Sequence, residues 1–194
     1  DIAMLYVESV MDLRPWGYWT RDGTPYERTT EIVALTERVM AQNPKHPGAL
    51  HLYIHLMEAY EPYKAEPAAD RLLTLMPAAG HMVHMPAHIY IRVGRYNDAI
   101  EANVHAVHQD ETYIADQRPS GVYPIAYYPH NWHFLGFAAT MAGRGDLALD
   151  AAKKDPELTK GEGRFLVVVQ DNGPGFAENI LKRAFEPYVT TKTK

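Results

Sequence analysis

An all-α fold is predicted for most of this chain, and three observations predict it. Apolar residues recur with a helical period from the amino end to about residue 152. Proline and glycine clusters cut that stretch into helix-sized pieces. The β-branched run Phe165–Val169, which reads as a strand, comes only after a change of composition that follows Lys154. The architecture expected is a set of antiparallel helix pairs stacked side by side over residues 1–154, followed by a short C-terminal α/β fragment over residues 155–194.

The elements follow in order. Ile2, Leu5, Tyr6, Val10 and Leu13 share one face of a first helix, which Arg14-Pro15-Trp16 ends. Asp22-Gly23-Thr24-Pro25 makes a turn. A second helix runs from Thr29, read as its N-cap, to about Gln42, with Ile32, Leu35, Val39 and Met40 as its apolar stripe. Asn43-Pro44 and Pro47-Gly48 break the chain before a third helix at about 49–60. A fourth covers 66–76 and stops at Pro77; a fifth covers 80–93 and is closed by Gly94. Pro86 lies inside that fifth helix and should kink it. The sixth helix is expected at 97–108. Residues 111–129, with Pro119, Gly121, Pro124 and Pro129, read as a long loop. The last pair is expected at 130–141 and 146–154.

Composition narrows the function classes. The chain has 194 residues, 46% of them hydrophobic and 22% charged, enough to bury a core. Cysteine is absent, which removes disulfides, thiolate metal sites and cysteine nucleophiles. A net charge of -5 with no basic stripe argues against a nucleic-acid partner. No apolar run reaches the ~18 residues of a membrane span. The chain opens at Asp1 with no leader pattern, as a processed or trimmed product would. Nothing points to a compartment.

Two segments resemble each other. Gly94-Arg95-Tyr96-Asn97-Asp98-Ala99-Ile100, with Ala106 and Asp110 beyond it, resembles the turn and second helix of a tetratricopeptide repeat. Gly143-Arg144-Gly145-Asp146-Leu147-Ala148-Leu149 matches the same frame, and Ala68-Ala69-Asp70 up to Pro77 is a shortened copy. The resemblance implies helix pairs whose first helices line a concave groove.

The tail resembles something else. Phe165–Val169, Asp171-Asn172-Gly173-Pro174-Gly175-Phe176 and Arg183–Thr191 are similar to part of the nucleotide-binding region of a sensor histidine kinase ATPase domain. The Asn-bearing helix and the second glycine box of that family are missing, so no ATP binding is expected. Two unrelated segments meeting near residues 155–163 read as a fusion junction. A lone strand at Phe165–Val169 would need a partner, such as the same strand of a second copy across a dimer edge.

Ten histidines without a cysteine carry the chemistry. His51, His55 and Glu58 lie four and three residues apart, on one helical face. His81, His84 and His88 precede Gly94 by thirteen, ten and six residues; His130 and His133 precede Gly143 by thirteen and ten. Histidines four apart can grip one ion from one helix, and three first helices can close the shell around it. His51, His55, His84, His88, His130 and His133 are the expected metal ligands, with Glu58 and His81 as catalytic groups at the edge. His46, His105 and His108 lie on loops or second helices, outside this pattern, and read as surface or satisfied core residues. The three histidine segments also resemble a group of bacterial tetratricopeptide-like proteins that share them, which implies a common site without naming a reaction.

Imidazole donors suit Cu, Zn or Fe and disfavour Ca²⁺ and Mg²⁺. The surplus of imidazoles and the aromatic residues around them favour copper, or iron, and oxidation of a small phenolic substrate in the groove. The alternatives are a zinc hydrolase with Glu58 as base and a non-catalytic module that binds peptide or metal.

Overall fold

The computed structural model describes residues 2–156, all within one unit spanning residues 1–163. Helices account for almost all of its regular structure, and no strand occurs among the described residues; the nearest approach is a single antiparallel bridge between Trp19 and Pro25. In chain order the helices are α1 (Ile2–Asp12), α2 (Thr29–Gln42), α3 (Pro47–Met57), α4 (Pro62–Leu72), α5 (Gly80–His84), α6 (Pro86–Arg92), α7 (Tyr96–Gln117), α8 (Tyr128–Met141) and α9 (Gly145–Lys154), with a π-helical turn at Tyr123–Tyr127 leading into α8. Neighbours in sequence are neighbours in space: α2 packs on α3, α3 on α4, α6 on α7, α7 on α8 and α8 on α9. The expectations for residues beyond 156, namely the strand at Phe165–Val169, the nucleotide loop and a dimer edge, lie outside the described residues.

The core runs between the helices as one cluster that includes Val7, Ile32, Leu50, Ile54, Leu56, Leu72, Ile89 and Leu135. Small residues keep the helices close. Ala99, Ala138, Ala139 and Ala151 are fully buried, and at the distances they allow a larger side chain would need the helices to part. The two resembling turns have the same local geometry. Gly94 and Gly143 both adopt positive φ (+81° and +71°), and in each the following N–H reaches back five residues, Arg95 to Tyr90 and Arg144 to Ala139, each at 2.8 Å. That left-handed closure is the reason glycine stands at both positions.

Three expectations change. Thr29 does not cap its helix: Arg28 is the N-cap residue, in the left-handed region, and the Thr29 hydroxyl donates instead to the Tyr18 carbonyl at 2.8 Å. Pro86 does more than bend the fifth helix. It has no N–H to donate, so the chain divides into α5 and α6 at Met85, which keeps helical dihedrals, and His88 N–H bonds Met85 O at 3.1 Å. The predicted loop at 111–129 is largely helical. α7 continues two turns past the expected end and closes at Arg118 with positive φ. The apolar period is interrupted there because a buried inward position, Asp110, holds a carboxylate.

Asp110 is satisfied from two sides. Tyr123 donates its hydroxyl to Oδ1 and Asn131 its amide to Oδ2, each at 2.6 Å. These bonds tie the π-turn and α8 to α7. They also explain Gly80, where any Cβ would fall 1.9 Å from Asp110 Oδ1.

Candidate metal centre

Six imidazoles from four helices meet at their Nε2 atoms. In one triad His51 and His55 come from α3 and His81 from α5; His51 Nε2 lies 3.1 Å from His55 Nε2 and 3.2 Å from His81 Nε2. In the other, His84 ends α5, His88 lies on α6 and His130 on α8; His88 Nε2 lies 3.0 Å from His84 Nε2 and 3.4 Å from His130 Nε2. Within each triad the donor atoms all lie within 4.8 Å of one another, so each could hold a metal ion. The spacings fit that use. Two nitrogens about 2.1 Å from one ion stand about 3.0 Å apart at a right angle and about 3.4 Å apart at the tetrahedral angle. The triads adjoin, with ring centroids 5.8 Å apart for His55 and His88 and 6.2 Å apart for His81 and His84.

Hydrogen bonds fix the ring state in the second triad. Asn103 is buried on α7 and donates its amide to the Ala99 carbonyl at 2.7 Å. Its Oδ1 therefore faces His84 Nδ1, 2.7 Å away, and accepts a proton from it. His88 Nδ1 donates likewise to Glu58 Oε2 at 3.0 Å, and Arg92 lies 3.5 Å from the other Glu58 oxygen. Both Nδ1 atoms carry the ring proton, so in the neutral rings both Nε2 atoms are lone pairs, facing each other at 3.0 Å. Two lone pairs cannot hydrogen-bond. A proton on either ring would relieve the conflict, yet burial, with like charges beside it, drives both rings well below the ordinary histidine value. A cation between them satisfies both.

The remaining rings are also held neutral. Burial pushes His51 down to about 3 and His81 down to about 4, and lowers His55 and His130. Burial raises Glu58, against the pull of Arg92 and His55. Phe134 packs its ring on all three members of the second triad, with centroids 4.7, 4.4 and 4.6 Å from His84, His88 and His130.

A cleft of about 690 Å³ opens over the cluster. Its floor includes His51, His55, His81, His88 and His130. One wall is α1 with the segment behind it, including Met11, Trp16 and Tyr18; the other is Val122, Ala126 and Tyr127 from the π-turn. Tyr127 lies edge-on to His81 at 4.9 Å and stacks with Tyr123 at 5.6 Å. The charged groups among the lining residues, apart from the histidines, are two carboxylates, Glu8 and Asp12.

His51, His55, His84, His88 and His130 thus come together as the spacing suggested. His133 does not join them. Its Nε2 lies 2.5 Å from Asp155 Oδ2 beyond α9, and its side chain is 41% exposed. Three residues on a helix turn about 300°, so the face that carries His130 continues through Phe134 and leaves His133 pointing towards α9. His81, expected at the edge as a catalytic group, takes the sixth place. Glu58 faces His88 rather than open space. Asn103, which orients His84, drew no notice in the sequence: a polar residue on the inner face of α7 was the only signal it offered. His46 caps α3 by accepting from Ala49 N at 3.1 Å, while His105 and His108 are exposed on α7.

No protein-family description matches this chain, and no curated protein is similar to it in sequence.

Proposed function

We propose that the two triads hold a pair of transition-metal ions, copper before iron or zinc, and that the pair oxidises phenolic substrates with O₂ in the cleft above it. The observation that carries the reading is the convergence of six Nε2 atoms with the ring proton of His84 and His88 committed to the opposite nitrogen. Three imidazoles per ion leave coordination positions open, which suits catalysis better than storage. Copper ions when bound would relay one electron each; reducing O₂ to two waters takes four electrons and four protons, which two catechols supply at two of each. For a catechol the balance is two catechols and one O₂ to two quinones and two waters.

The chain's own residues have defined tasks in this reading. Glu58 and Asn103 orient rings and fix their tautomers. Phe134 covers the rings of the second triad on one side. Tyr127, Val122 and Trp16 offer apolar surface to a flat ring. Glu8 and Asp12, with no basic residue among the lining positions, favour neutral or cationic phenols over phenolic acids. Hydrolysis at zinc with Glu58 as base fits less well, because that carboxylate is engaged by His88 and Arg92. The tetratricopeptide-like reading of the scaffold belongs with the proposal; it is supported by the matching closures at Gly94 and Gly143.

The test is elemental analysis and O₂ uptake on the copper-loaded chain. Two ions per chain and phenol-dependent O₂ consumption are expected, both lost in His84→Ala/His88→Ala. A loaded protein that consumes no O₂ with any phenol would refute the oxidase, and absence of stoichiometric metal would refute the site.

A further inference from the structure

The two triads are held differently. In the second, His84 and His88 each have their Nδ1–H engaged, by Asn103 at 2.7 Å and by Glu58 at 3.0 Å. In the first, His55 Nδ1 and His81 Nδ1 are buried and have no hydrogen-bond partner. Exposure follows the same division. His84 is fully buried and outside the cleft, and His88, though it reaches the cleft with His130, is buried too; His51, His55 and His81 are half-buried and all line it.

On the two-metal reading above, we infer that the positions are unequal: His84, His88 and His130 form the resident site that fills first, and His51, His55 and His81 form a more open, exchangeable site that meets the substrate. A ligand ring already locked by an outer hydrogen bond loses little freedom when it binds, and its free nitrogen is more basic. Removing one such partner typically weakens metal binding about 10–100-fold. Two partners on one triad, and none on two rings of the other, place the affinities at least about 100-fold apart. Burial beneath Phe134 slows exchange at the tight site. The protein holding a single ion then has a filled resident site, an empty substrate-facing site, and no oxidase activity. Occupancy of the second site, set by free metal, becomes the switch for turnover.

The experiment titrates the chelator-stripped full chain with Zn²⁺ against a competing chromophoric chelator. Two resolved steps are expected, the first at least about 100-fold tighter. Crystals grown with one equivalent of Zn²⁺ should show the anomalous peak among His84, His88 and His130. Asn103→Leu, similar in size, should weaken the tight step about 10–100-fold and leave the weak step unchanged. Glu58→Gln, which keeps an oxygen acceptor, should weaken the same step by less and serves if the leucine variant loses its helical signal. A single step for both ions, or an anomalous peak at His51, overturns the inequality while leaving the two-metal reading intact. No stoichiometric Zn²⁺ or copper overturns both.

Discussion

Acidifying the metal-free protein is the most direct test of six neutral imidazoles, two of them buried and four half-buried. His51 is lowered from 6.5 to about 3 and His81 from 6.5 to about 4, in both cases chiefly by burial. The unfolded chain binds protons on these rings as pH falls below 6.5, and the folded chain does not until pH approaches 3–4. Stability is therefore complete above pH 6.5 and declines through the window between. Between pH 7 and pH 5 each such ring costs about 2 kcal/mol, because proton uptake by the unfolded state dominates and the folded state is still unprotonated. His51 and His81 together cost about 4 kcal/mol, against a total stability of about 5–15 kcal/mol for an ordinary domain. His84 and His88 shift in the same direction and add to the loss. Urea unfolding followed by helical circular dichroism, in chelator at pH 7 and pH 5, measures this directly. The midpoint should fall sharply, and His81→Asn should remove about half of the two-ring effect. Saturating metal should restore stability at pH 7 by about 4 kcal/mol at a thousandfold excess over its dissociation constant. An unfolding midpoint that is the same at both pH values would mean that the rings are not buried neutral, and the argument from facing lone pairs would fail with it.

Other outcomes follow from particular contacts. Gly80→Ala places a methyl group 1.9 Å from Asp110 Oδ1 and should cost about 1–3 kcal/mol, read as a lower thermal midpoint. Tyr123→Phe removes one donor from the buried Asp110 carboxylate, at a cost of about 1–3 kcal/mol, and should raise KM more than it lowers kcat, since it frees a cleft wall and leaves the six imidazoles in place. In a phenol series of matched size, KM should rise from amine-bearing to neutral to carboxylate-bearing substrates. Asp12→Asn should narrow that spread by up to about fivefold, and added salt should do the same. His133→Ala should leave metal stoichiometry unchanged, because its imidazole is engaged by Asp155.

Much of this was legible in the sequence, and the reasons are physical. Helical periodicity located every long helix, since Ile32, Leu50, Leu56 and Leu135 repeat on inward faces. Spacing of three and four residues found five of the six converging histidines. It failed at His133 because two residues three apart diverge by about 60°, enough to aim one at the cluster and the other at α9. It also placed His81 at the edge, since nothing local shows that α5 crosses α3 closely enough to bring His81 Nε2 within 3.2 Å of His51 Nε2. The extension of α7 was hidden by Asp110, a carboxylate at an inward position whose partners, Tyr123 and Asn131, lie more than ten residues away. Long-range polar satisfaction leaves no periodic trace.

The break at Pro86 connects the fold to the site. An unbroken helix over 80–93 would present His81, His84 and His88 as a single row, one step along the axis for each turn. Instead α5 ends at His84 and α6 begins at Pro86, with Met85 as the joint. α5 carries His81 to the α3 histidines and His84 to the second triad, where it meets His88 of α6 at 3.0 Å beside His130. One segment thus serves both triads, and the joint at Met85 lies inside the second, between His84 and His88. Pro86→Ala should restore the missing N–H and favour a continuous helix, a gain of up to about 3 kcal/mol in intrinsic helix preference. If the joint at Met85 sets how His84 faces His88, that variant should be no less stable without metal yet bind the ion of the second triad less tightly than the parent chain. Unchanged affinity would show that the packing of α5 and α6 against α7, rather than the proline, holds His84 and His88 in place.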